Sequence, residues 1–229
     1  MDFVYICRTG PNEELRYSIR TVMNSFPDAK IWVSGGKPDW YTGNYIDIDQ
    51  QGSKYANAIA NINAICDSKE ISDDFVLMND DFFILKKIDE IKTFHSGLLI
   101  DKITRFKEVS RSSAYIKKLI LTQTFLNKNG IENPLDYELH IPMIMNKYKL
   151  KDIIRKDEFS LWRSLYGNTY NIKGEYTVDV KIYHEESSKS VSYNVTEDSI
   201  YASTDDRSFS GLFSSTLKKS FPNKSIYEA

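Results

Sequence analysis

Apolar residues come in short, dense runs through the first third of the chain and grow less regular afterwards. Phe3-Val4-Tyr5-Ile6-Cys7 reads as a strand buried on both faces. Arg8 to Asn12 forms a loop, and Glu13 to Phe26 has helical spacing, with Leu15, Ile19, Val22, Met23 and Phe26 on one side. Asn12 suits the N-cap, Glu13 and Glu14 suit the first turn, and Pro27-Asp28 ends the helix. Ile31-Trp32-Val33 follows as a second strand, closed by Ser34-Gly35-Gly36, so strand, helix and strand make a right-handed parallel crossover. Tyr45 to Ile48 is a third strand, Ser53 to Cys66 a helix with Ala56, Ile59, Ala60, Ile62 and Ile65 apolar, and Phe75 to Met78 a fourth strand.

Beyond Leu85 the expected elements are a helix over Tyr115–Asn127, stopped by Asn129-Gly130, and an extended segment Asp136–Met143. Pro142 suits a first helical turn, so Met143–Tyr148 is expected to be helical, as is Phe159–Tyr166. Tyr176 to Tyr183 alternates like a strand, with Tyr176, Val178, Val180 and Ile182 on one face. Phe209, Leu212, Phe213 and Leu217 mark a docked terminal helix. The expectation is one α/β domain over 1–229, with residues 1–100 as a ligand-binding half and 101–229 as a more irregular second half.

The fourth strand runs directly into Asn79-Asp80-Asp81 and then into Phe82-Phe83. Adjacent carboxylates repel, and beside apolar residues they are costly unless a cation or hydrogen-bond donors neutralise them. Hard cations such as Mg²⁺ or Mn²⁺ bind carboxylate oxygens and share coordination with phosphates. A solvated turn is the alternative. The flanking aromatics are a poor composition for one, and ligands of open α/β sheets bind at the carboxyl ends of strands. Arg8, just past the first strand, and Arg16 in the first helix have the planar fork that pairs with phosphate, although Arg16 and Arg20 could equally be exposed helix charges.

Acidic and basic residues nearly balance, for a net charge of −2, which argues against a general attraction to nucleic acid but leaves room for a local basic rim at Lys117-Lys118 or Lys147–Lys151. Cys7 and Cys66 are isolated, as reduced cytosolic thiols are. No run approaches a membrane span, and the first residues do not open a signal peptide, so a soluble cytoplasmic protein is expected.

Five blocks in order resemble the Stealth family of sugar-phosphate transferases and, more broadly, GT-A-fold glycosyltransferases. They are Glu13-Glu14-Leu15-Arg16-Tyr17-Ser18-Ile19-Arg20-Thr21, Asn79-Asp80-Asp81-Phe82-Phe83, His140-Ile141-Pro142, Phe159-Ser160-Leu161-Trp162-Arg163, and Phe221-Pro222-Asn223-Lys224-Ser225-Ile226-Tyr227-Glu228. The resemblance implies a GT-A-like, Rossmann-type mixed sheet flanked by helices, with an irregular helical acceptor-side half. It implies a nucleotide-sugar donor, a carbohydrate or modified nucleic-acid base as acceptor, and Mn²⁺ or Mg²⁺ as cofactor. Asn79-Asp80-Asp81 then stands where such enzymes carry Asp-x-Asp. Asp81 becomes the preferred metal ligand, Asp80 a ligand or donor contact, Asn79 a donor contact, and His184 a candidate for the late histidine that completes a metal site, with a surface histidine at a strand end as the alternative. Asn57-Ala58-Ile59 matches a family block, making Asn57 and its neighbour one turn on, Asn61, donor-side candidates, with solvent-exposed amides as the alternative.

Glu138 suits the carboxylate base that inverting transfer needs, His140 matches the Stealth histidine, and Arg163 could hold developing phosphate charge; structural roles are the alternatives for His140 and Arg163. Three further readings stay open: phosphosugar transfer as in Stealth proteins, a non-catalytic glycan- or nucleotide-binding module, and glycosylation of modified DNA bases.

Overall fold

The computed structural model describes residues 1–108, 113–156, 161–184, 191–192, 195–205, 207–209 and 212–229. In chain order the elements are β1 (Asp2–Cys7), α1 (Glu13–Ser25), β2 (Lys30–Gly35), β3 (Asn44–Asp47), α2 (Lys54–Asp67), β4 (Asp74–Asn79), β5 (Phe82–Ile84), β6 (Phe94–His95), α3 (Leu99–Glu108), α4 (Ser113–Lys128), β7 (Met143–Asn146), α5 (Lys147–Lys156), α6 (Trp162–Thr169), β8 (Glu175–Tyr176), β9 (Tyr183–His184), β10 (Val191–Ser192), β11 (Tyr201–Ser203) and α7 (Leu212–Ser220). They form two compact units, one of Met1–Ile91, His140–Lys147 and Val180–Ala229, the other of Lys92–Leu139 and Tyr148–Asp179.

The first unit is built on a five-stranded sheet in the order β3-β2-β1-β4-β7. β1 to β4 run parallel, and β7 closes one edge antiparallel to β4. The dense apolar runs form the central strands because both faces are covered: Phe3, Val4, Tyr5, Phe75, Val76, Leu77 and Met78 are all buried. Each such side chain contributes about 1.5–3 kcal/mol of burial. The parallel order places the ends of β1, β2, β3 and β4, at Cys7, Gly35, Asp47 and Asn79, along one rim.

Helix α1 packs on β5 through polar as well as apolar groups. Ser18 Oγ donates to the Phe82 carbonyl, and Thr21 Oγ1 accepts from the Ile84 amide at 3.0 Å, so buried hydroxyls satisfy backbone groups of the short strand. β5 pairs antiparallel with β11, and Phe83, Ile182, Ala202, Phe213 and Leu217 close a core beneath them with Tyr17. The C-terminus is pinned to the same unit. Glu228 accepts from Arg20 Nε and Nη2 at 2.8 and 2.7 Å, and Tyr227 stacks on Tyr41.

In the second unit, α3, α4 and the residue before α6 share a core of Leu99, Ile103, Leu119 and Leu161, and β6 pairs with β8.

Several expectations change. Met143–Tyr148 is not a helix: Met143–Asn146 is a strand whose Met143 and Met145 are buried while Ile144 is exposed, and helix starts only at Lys147. The alternating Tyr176–Tyr183 stretch is not a continuous strand. Tyr176 and Val178 are exposed, and only Val180 and Ile182 turn inward. The Phe159-Ser160 part of the expected Phe159–Tyr166 helix lies outside the described residues; the helix itself spans Trp162–Thr169. Among the described residues no helix is long and apolar enough to cross a membrane.

Candidate active site at the strand ends

Asp80 and Asp81 occupy the turn that joins β4 to β5. Asn12, at the start of α1, reaches both the helix and the acid. Its Oδ1 accepts from the Leu15 amide at 3.0 Å as the N-cap, and its Nδ2 donates to Asp80 Oδ2 at 2.6 Å. Asn12 adopts φ 43°, a left-handed conformation that asparagine tolerates better than most residues. Capping therefore fixes the amide that faces the carboxylate.

Asp81 has a different partner. Its Oδ2 accepts from the ammonium of Lys181 and, at 3.2 Å, from Ser203 Oγ. Lys181 also donates to the Thr204 carbonyl and to Ser203 Oγ at 3.2 Å. A bridge between Lys181 and Ser203 and the bond from the Ile182 amide to the Ser203 carbonyl, 2.8 Å, hold the lysine beside β11. Thr204 Oγ1 in turn donates to Glu14 Oε1 at 2.7 Å, and Arg8 Nη2 lies 3.7 Å from Glu14 Oε2.

Burial, then the charge on Asp81, push the Asp80 carboxyl up to about 6, against the opposing pull of Asn12 and Arg8. Burial and Asp80 likewise raise the nearby Cys7 thiol, which makes it a poor nucleophile.

The rim beside the acids is shaped by two glycines. A Cβ on Gly35, at φ 101°, would stand 2.5 Å from the Cys7 carbonyl, and one on Gly36 would stand 2.1 Å from the Arg8 carbonyl. The end of β2 thus lies directly against the backbone that carries Arg8, whose side chain is largely exposed.

The other residues expected at the site are dispersed. Asn57 and Asn61 tie α2 to the loop before it and to β2. Asn61 Oδ1 accepts from Ser34 Oγ at 2.8 Å, its Nδ2 donates to the Asn57 carbonyl, and the residue is fully buried; Asn57 bonds the backbone of Gln50 and Gly52. These amides hold the rim from within. Arg16 donates to Glu13 and Glu228 and lies over the Trp40 ring, 4.4 Å from its centroid, so it secures the C-terminus. His140 belongs to the same unit as the acids, its ring edge-on to Phe82, the residue after Asp81.

Glu138 and Arg163 belong to the second unit. There Glu138 accepts from the Ser164 amide at 2.8 Å, in the first turn of α6, and Arg163 donates to the Leu139 carbonyl. Lys102 ties Asp136 to the Glu138 carbonyl in the same cluster. Burial and Asp136 hold the Glu138 carboxyl above its ordinary range. For His184 the structure describes only the backbone of β9, so the expected metal ligand lies outside the described side chains.

The described side chains around Asp80 and Asp81 do not make a ready place for Mn²⁺ or Mg²⁺. Such ions need six or so oxygens and reject a neighbouring ammonium. Here Asp81 Oδ2 is taken by Lys181, Asp80 Oδ2 by Asn12, and Asp81 Oδ1, which has no hydrogen-bond partner, is enclosed. Among the described residues no three His, Cys, Asp or Glu side chains gather to hold an ion. A surface cleft of about 490 Å³ bordered by Trp32, Tyr45, Ala64 and Glu70 shares no residue with the acid cluster and supplies none of its chemistry.

No known family model matches the chain, and no curated protein does. Solved structures do match. One is the galactosyltransferase LgtC, in complex with donor and acceptor sugar analogs. It aligns over 97% of this chain and 97% of its own length, with a TM-score of 0.52 and 10% identical residues. At that identity the likeness carries the fold alone. The mixed sheet with its flanking helices is GT-A-like, and nothing in the match is specific to Stealth proteins.

Proposed function

We propose that the chain is a glycosyltransferase that moves a sugar from a nucleotide-sugar donor to an acceptor hydroxyl, on a carbohydrate or a modified nucleic-acid base. The observation that carries this reading is the Asp80-Asp81 pair in the turn after β4, at the carboxyl rim of a GT-A-like sheet. Two residues with rigid local partners frame it: Asn12 on Asp80 and Lys181 on Asp81.

In this reading Asn79 and Asp80 accept hydrogen bonds from donor hydroxyls, and the exposed Arg8 pairs with the diphosphate. The acceptor oxygen forms a bond to the anomeric carbon while the bond from that carbon to the diphosphate oxygen breaks. The electron pair leaves with the diphosphate, and the acceptor proton passes to the His140 imidazole. Glu138 and Arg163 shape the second unit, as their bonds to α6 and to the Leu139 carbonyl indicate.

Incubation with a panel of nucleotide sugars and hydroxyl acceptors, followed by identification of the released nucleotide, tests the reading. Release of a nucleoside diphosphate is expected. A nucleoside monophosphate would assign phosphosugar transfer instead, as the Stealth resemblance implies, and binding without turnover on any acceptor would leave a non-catalytic module.

A further inference from the structure

The strand-end acids of this fold sit with a lysine where the resemblance calls for a metal. We propose that Lys181 is the resident cation of this site, neutralising Asp81 so that the protein binds the diphosphate of its donor without a divalent ion. The proposal rests on the reading of the rim as a donor site.

An ammonium has three N–H donors. Lys181 directs them at three acceptors, Asp81 Oδ2, Ser203 Oγ and the Thr204 carbonyl. It is 8% exposed, and burying an ammonium costs several kcal/mol unless it is paired and fully hydrogen-bonded. This one meets both conditions. Its pairing partner is the very carboxylate that a metal would need, and a divalent ion bound to Asp81 would face the lysine across a single carboxyl group. Lys181 thus offsets Asp81, while Arg8 lies 3.7 Å from Glu14 with its side chain largely exposed. With Asp81 already neutralised, a donor diphosphate meets one negative charge fewer at the rim, and the exposed Arg8 can pair with it.

A lysine that merely pins β11 to the β4–β5 turn would affect stability and leave metal dependence alone. The test therefore measures metal dependence. UDP, GDP, ADP and CDP are titrated calorimetrically into the full chain, in EDTA and in Mn²⁺. The wild-type protein should bind one of them with Kd values within about threefold of each other in the two buffers. In EDTA, Lys181→Met should bind about tenfold or more weakly, and Mn²⁺ should restore most of the loss, because the freed Asp81 oxygens can then take the ion.

Wild-type binding that requires Mn²⁺ would overturn the role of Lys181 while leaving the donor site standing. Absence of binding in both buffers would overturn the donor site, and this inference with it. Should Lys181→Met fail to fold, the wild-type comparison decides alone.

Discussion

The ammonium of Lys181 donates to the carboxylate of Asp81 across 100 residues of chain, and both side chains are largely enclosed. Breaking a buried pair strands the remaining charge, at about 3–5 kcal/mol, whereas removing both partners is much less costly. Asp81→Asn and Lys181→Met should each lower unfolding free energy by about 3 kcal/mol or more, and the double variant should lose less than the sum. Urea unfolding of the four proteins checks this. Strict additivity would mean that the two groups are not coupled.

Asp80 is expected to trade stability for function. Its folded pKa of about 6 lies above the ordinary 3.8, so the folded state binds the proton more tightly than the unfolded chain does. Stability is therefore lost as pH rises from about 4 to 6, and the full penalty applies above that. Asp80→Asn, which can still accept from Asn12, should stabilise the protein at pH 8 by about 1–3 kcal/mol and weaken donor binding. The stabilisation should shrink as pH falls toward 4. Denaturant curves at pH 5 and pH 8 measure it, and an advantage independent of pH would contradict the assignment.

Glu228 gives the opposite sign. Burial alone would raise its pKa, but hydrogen bonds from Arg20, the Ser225 amide and Arg16 bring it down to about 2. A lowered carboxyl contributes stability that is complete above the unfolded value near 4.5 and vanishes as pH falls through 2. Glu228→Gln should cost about 1–3 kcal/mol at pH 7 and flatten the stability profile between pH 4.5 and 2. Thermal melts across that range provide the check; an unchanged profile would show that the C-terminal pin is energetically idle.

The half of the site carried by local signals was legible in the sequence, and the half assembled across the chain was not. Phe75–Met78 is too uniformly apolar to be anything but a buried segment, and its length marks it as a strand, so the acids after it stand at a strand end. Asn12 was recognisable as a cap, but its second bond, to Asp80, depends on where β4 ends. Met143–Asn146 shows a two-residue period over only four positions, too short to outweigh the helix-start signal of Pro142. In Tyr176–Tyr183 the apolar alternation continues through exposed Tyr176 and Val178, but the only strand pairing at these two residues, among the described residues, is the two-residue β8, Glu175–Tyr176, against β6, and it ends before Val178. Lys181 is one of 30 Lys and Arg residues, with no neighbour in sequence to mark it; the bridge to Ser203 and the turn at Asp81 give it its role.

The central claim is that the rim around Asp80 and Asp81 binds a nucleotide sugar. A thermal-shift screen of nucleotide sugars against the full chain tests it most directly, because a ligand bound only to the native state stabilises it by mass action. At 100 times Kd the gain is about 2.7 kcal/mol, which for a chain of this size is a rise of about 5–10 °C in Tm. The account predicts such a rise for nucleotide sugars of one base, reduced to about a degree or less in Asp80→Asn. A flat response of the folded wild-type protein to every nucleotide sugar, at millimolar concentration and with or without Mn²⁺, would contradict it.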